Sequence, residues 1–86
     1  MNNHTSLAEN QASLLSDTVS NVSSEYLTSL GDQDPTNLYR QIIDEVEKPL
    51  LEVIMERTHG NQSRAAICLG INRATLRSKL KRHGLM

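Results

Sequence analysis

The chain reads as an all-α protein, with four helices per subunit arranged as a helical dimerisation core and a C-terminal helix-turn-helix. Three observations predict this. Apolar residues recur at steps of three and four along most of the chain, which is the helical period. Glycine or proline punctuates the places where one such pattern gives way to the next. Charge, finally, is segregated: residues 1–56 carry ten acids and two bases, a formal −8, whereas residues 57–86 carry seven bases and no acid, +7. The overall charge of −1 therefore hides a one-signed C-terminal segment, the electrostatic footprint expected of a protein that meets a polyanion.

Length sets the scale. Eighty-six residues allow one small domain, which buries too little surface to be comfortably stable alone. Tyr26 and Tyr39 are the only aromatics, so the core must be aliphatic and association with a second copy is the natural supplement. Cys68 is the single cysteine, which rules out an internal disulfide and suits a reducing compartment. The chain shows neither a basic-then-apolar leader nor an apolar stretch approaching the ~20 residues of a membrane span. A soluble protein of the cytoplasm is expected.

Taken in order, residues 1–12 are polar, rich in Asn and Ser and without period, and read as a disordered N-terminal arm. Residues 13–59 read as a two-helix dimerisation core. From a cap at Ser13 or Ser16, Leu15, Val19, Val22, Tyr26 and Leu30 form one apolar stripe that ends at Gly31. The remaining positions are mostly Ser and Thr, weak helix formers, so this helix needs a partner along its stripe.

The second helix is expected from about Pro35 or Thr36, with Asp34 as its cap, to Thr58. At about 100° per residue, Leu38, Tyr39, Ile42, Ile43, Val46, Leu50, Val53 and Ile54 share one broad arc. Leu51 and Met55 fall outside it. The half beyond Pro49 is thus apolar on two sides, as a helix must be when it contacts both its own subunit and another. Pro49 cannot donate to the Glu45 carbonyl and is expected to kink the helix rather than end it. The predicted dimer core is Leu15, Val19, Val22, Tyr26, Leu38, Ile42, Val46, Leu50, Leu51, Ile54 and Met55.

Residues 60–86 form the helix-turn-helix unit, with the motif itself at about 62–81. Asn61 is a good N-cap, and Ala65, Ala66, Cys68 and Leu69 follow at helical spacing as the apolar face. Gly70 stops this helix, Ile71 plugs the turn, and Asn72 caps a second helix with Leu76 and Leu80 on one face. The opposite face carries Arg73, Thr75, Arg77 and Lys81, with Lys79 and Arg82 beside them. In such motifs the second helix normally enters the DNA major groove. A two-fold dimer would set two of these helices side by side, with the acidic portion held away from phosphates.

The segment from Leu38 to Met86 closely resembles the Fis (factor for inversion stimulation) family of gammaproteobacteria. The resemblance is carried by Gly60-Asn61-Gln62-Ser63-Arg64-Ala65-Ala66 and by Gly70 to Leu80, and is extended by Asn37-Leu38-Tyr39 and by Glu45 to Leu51. Over roughly the last forty residues the chain is also similar to the C-terminal domain of NtrC-type activators. The Fis resemblance implies a homodimeric, nucleoid-associated transcriptional regulator that binds and bends double-stranded DNA with loose sequence preference. It implies base contacts from Asn72 and Arg73, and phosphate contacts from Asn61, Gln62, Ser63, Thr75, Arg77, Lys79, Lys81 and Arg82. RNA polymerase joins DNA and a second copy as an implied partner.

Three departures from the family qualify this. Ser78 stands where a lysine is common, and His59 where a basic residue often reaches flanking DNA. The N-terminal segment is short and polar, with no alternating apolar strands to engage a DNA invertase. Nothing points to catalysis. His4, His59, His83 and Cys68 lack the paired spacings of a metal site, the acids are dispersed, and no Gly-rich phosphate loop is present, so neither enzyme activity, cofactor nor metal is expected. The rival readings are a helical protein-interaction module with a basic tail, the DNA-binding part of an NtrC-like activator, and a non-specific RNA chaperone.

Overall fold

A computed structural model describes residues 6–86. His4 and the rest of the first five residues of the expected arm lie outside the described residues. The described residues form four helices and no strand: α1 (Glu9–Leu30), α2 (Leu38–Arg57), α3 (Gln62–Leu69) and α4 (Arg73–Arg82). No described helix is long and apolar enough to cross a membrane. The chain divides into two compact units, Met1–Leu38 and Tyr39–Met86.

In the first unit, α1 begins at Glu9, upstream of the expected caps at Ser13 and Ser16. The polar stretch lacks apolar period but not helix-starting chemistry. The Gln11 side chain accepts the Ala8 backbone N–H at 3.0 Å, and Glu9 puts negative charge in the first turn. Hydroxyls along the helix turn back on its carbonyls, Thr18 donating to Leu14 at 2.8 Å and Ser29 to Tyr26 at 2.6 Å. Gly31 ends the helix at φ 63°. No residue of α1 is buried, and Leu15 and Val22 are exposed.

The second helix starts at Leu38, later than expected. Asp34 does not cap it and Pro35 is outside it, because Asn37 takes a left-handed φ of 61° that a helix cannot include. The helix then runs unbroken to Arg57 with Pro49 inside it, so the proline does not end it.

The core of the second unit is small: Leu51, Ala65, Ala66, Leu76 and Leu80 are buried, with Ile54, Met55, Leu69, Ile71 and Leu85 packed against them. The two-sided character of the latter half of α2 is visible here. Leu51, Ile54 and Met55 face their own subunit's core, whereas Leu50 and Val53 are exposed. Leu51, placed by pattern in the dimer core, is 1% exposed within the single chain and belongs to the intrasubunit core.

Three successive helices end in the same way. His59, Gly70 and Gly84 each adopt a left-handed φ (52°, 73° and 69°). The following residue donates back five positions in every case: Gly60 to Met55 at 2.9 Å, Ile71 to Ala66 at 3.0 Å, and Leu85 to Leu80 at 2.8 Å. These are Schellman closures, and two of them fold an apolar residue, Ile71 or Leu85, back onto the core.

Candidate nucleic-acid interface

The two helices of the motif are started by asparagines and locked together by small residues. Asn61 Oδ1 accepts the Arg64 N–H at 3.0 Å, and Asn72 Oδ1 accepts the Ala74 N–H at 2.7 Å. Ala65 at 0% and Ala66 at 4% exposure let α3 approach α4 closely, and Leu76 and Leu80 fill the space between at 0%. Thr58, just before the motif, is buried with its hydroxyl donating to the Ile54 carbonyl at 2.9 Å.

This packing leaves a defined polar surface. Asn61, Ser63, Arg64, Asn72, Arg73, Thr75, Arg77 and Lys81 are all exposed. Arg73, Arg77 and Lys81 follow one another at four-residue steps, a ridge along α4 beside the buried leucine seam, and no ion pair engages them among the described residues. The Asn72 cap uses its side-chain carbonyl on Ala74 and keeps its amide donors available. Gln62 is half-buried, its amide donating only weakly to Met86 Sδ at 3.9 Å, and its Oε1 is buried without a partner among the described residues.

The other cations of α4 behave differently. Lys79 Nζ donates to Glu47 Oε2 at 2.7 Å, and the Arg82 guanidinium donates twice to Asp44, at 3.0 and 2.7 Å. His83 Nε2 lies 2.8 Å from the second Glu47 oxygen, with its own side chain 6% exposed. Arg40 adds a longer 3.5 Å contact to Asp44 from one turn earlier on α2. The single basic face read from the sequence is therefore two ridges: one unpaired, one cross-linked to α2.

The carboxylates respond as this arrangement requires. The Arg82 hydrogen bonds, ahead of every other influence, hold Asp44 below its ordinary range. At Glu47 partial burial is the largest single influence and pushes upward, but the hydrogen bonds and charges of Lys79 and His83 together overcome it.

This cluster was missed by sequence reasoning. The signal lay in matched spacings, acids three apart at 44 and 47 against Lys79, Arg82 and His83 at three- and four-residue steps. Asp44, Glu47 and His83 also bring ligand-type atoms within 4.8 Å of one another, which chain spacing alone did not reveal. Lys79 and Arg82 already sit on both carboxylates and oppose a further cation there. Cys68 corrects another expectation. It is exposed rather than core, because the buried arc of α3 is centred between Ala66 and Leu69, and Cys68 falls well outside it.

Comparison with known proteins accounts for this geometry. The family model described as "Bacterial regulatory protein, Fis family" matches residues 42–83, from the second turn of α2 to the residue that closes α4. A protein of Psychromonas ingrahamii named DNA-binding protein Fis is 55% identical over 71 residues, covering 83% of this chain and 72% of its own length. The chain belongs to the Fis family. The Fis protein of Aeromonas hydrophila is 48% identical over 82 residues, covering 95% of this chain and 84% of its own. That of Yersinia enterocolitica is 48% identical over 71 residues, 83% of this chain and 72% of its own. The Fis-family match spans the helix-turn-helix together with Asp44 and Glu47, so the cross-linked ridge lies within it.

Proposed function

We propose that this chain is a DNA-binding transcriptional regulator that grips duplex DNA as a homodimer, with α4 of each subunit in a major groove. The observation that carries this is the unpaired ridge Arg73–Arg77–Lys81 on a helix whose position is fixed by two fully buried leucines. Arg73, at the N-terminal end of α4, suits the O6/N7 edge of guanine, and the Asn72 amide suits a neighbouring base. Arg77 and Lys81, further along the ridge, suit phosphates. The caps Asn61 and Asn72 open helices whose N-terminal amides favour anions, which supports phosphate contacts for Asn61, Ser63 and Thr75, with Gln62 in a lesser role. Lys79 and Arg82 join the phosphate set once released from α2.

Homodimerisation is supported by the apolar surface one chain leaves uncovered: Leu15 and Val22 on α1, and Val46 and Leu50 on α2. Val19, Tyr26, Leu38 and Ile42 lie on the same stripes, and Ile54 and Met55 stand where those stripes border the subunit's own core. Two-fold pairing would present two reading helices to successive grooves and favour bending of the duplex between them. Such a protein acts in the cytoplasm on the nucleoid, with RNA polymerase as a further partner, by binding rather than by catalysis and without a cofactor.

The test is electrophoretic mobility shift on circularly permuted duplexes across salt concentrations. A shift that weakens steeply with salt and varies with site position supports binding and bending. No shift at low salt would refute the reading and favour a protein-interaction module.

A further inference from the structure

The two ridges of α4 differ in one respect that bears on affinity. Arg73, Arg77 and Lys81 are open to a polyanion, whereas Lys79 and Arg82 are held by carboxylates at 2.7 Å. Those carboxylates come from one turn of α2, and they meet the cations in the geometry a phosphate would use. Arg82 is bound bidentately, and Lys79 Nζ contacts a single oxygen. Glu47 is the less exposed of the two acids and is further anchored by His83.

We infer that Asp44 and Glu47 are intramolecular competitors for DNA phosphate, limiting the sequence-independent affinity of the reading helix by occupying Lys79 and Arg82. The inference rests on the DNA-binding function proposed above. A phosphate reaching either cation must displace a carboxylate already in place, so each pair subtracts from the counterions released on binding. Phosphate contacts carry no sequence information, so the restraint acts equally on preferred and random duplexes.

The experiment is fluorescence anisotropy of the full chain with labelled preferred and random duplexes over a range of salt. It compares the parent with Asp44→Asn, Glu47→Gln and the double variant, each checked for helix content by circular dichroism. Both duplexes should bind more tightly to the variants. The slope of log affinity against log salt should steepen by about 0.9 for each cation released. Arg82→Gln should lower the slope by about 0.9 in the Asp44→Asn background and by clearly less in the parent, a cycle that needs only single and paired substitutions if the double acid variant does not fold.

If slopes and affinities stay unchanged or fall in folded variants, while Lys81→Ala still lowers the parent slope, this inference is overturned and the DNA reading stands. If the parent binds neither duplex at low salt, the DNA reading itself fails, and this inference with it.

Discussion

The imidazole of His83 and the carboxylate of Glu47 meet at 2.8 Å although they are 36 residues apart, tying the end of α4 to the middle of α2. Lys79 holds the other oxygen of the same carboxylate, and Arg82 holds Asp44 one turn away. The orientation of α4 therefore depends on ionised acids as well as on leucines.

Acid should weaken the fold through this cluster. Both carboxyls are depressed in the folded chain, so their contribution is complete above the ordinary carboxylate range and is lost as pH falls through their lowered folded values. The midpoint of thermal unfolding should hold at neutral pH and drop below about pH 4. Asp44→Asn/Glu47→Gln should flatten that acid limb. An equally steep limb in the double variant would assign the acid response to other groups.

Truncation of the buried seam should be severe. Leu80→Ala removes a side chain at 0% exposure from a core with only five buried apolar residues and should cost about 2–5 kcal/mol. Urea unfolding followed by circular dichroism would show the midpoint collapse, whereas exposed Ile67→Ala should move it little.

Arg73→Ala should leave helix content intact, because the side chain is exposed and unpaired among the described residues. It should cost about 1–3 kcal/mol of binding to a preferred duplex and blunt discrimination against random sequence. Lys81→Ala should weaken both duplexes alike. Competition assays with unlabelled duplexes separate the two behaviours.

His59→Gly should stabilise the chain. His59 occupies the left-handed position that closes α2, at φ 52°, where a β-carbon costs roughly 1 kcal/mol and glycine fits freely. Gly70→Ala should destabilise by a similar amount for the same reason. No atom would contact the added carbon within 4 Å, so the cost there is conformational rather than steric. Thermal melts of both variants at one pH give the comparison.

Leu15→Glu or Val22→Glu places a charge on the exposed stripe of α1 and should convert a dimer to monomer in analytical ultracentrifugation at micromolar concentration. A parent already monomeric under those conditions would overturn the two-fold arrangement.

The parts of this structure legible in the sequence are those written locally. Asn61 and Asn72 as caps and Gly70 as a stop follow from side-chain chemistry within four residues, and each appears as expected. The leucine seam of α4 and the two-sided half of α2 follow from helical period. What the sequence concealed depended on contacts between distant segments or on compensated local penalties. Asp44 and Glu47 are ordinary surface acids until α4 is laid against α2. His59 and Asn37 take a left-handed backbone conformation without being glycine, so neither announced a helix boundary as glycine did. The start of α1 was hidden because Gln11 and Glu9 make a helix beginning without any apolar pattern.

The exposure of Cys68 has a practical sequel. It is the sole thiol of the chain and is exposed on α3, within the motif. A maleimide fluorophore would therefore attach at one defined point without mutagenesis, giving a native reporter whose quenching or energy transfer tests both the proposed pairing of subunits and the arrival of a duplex.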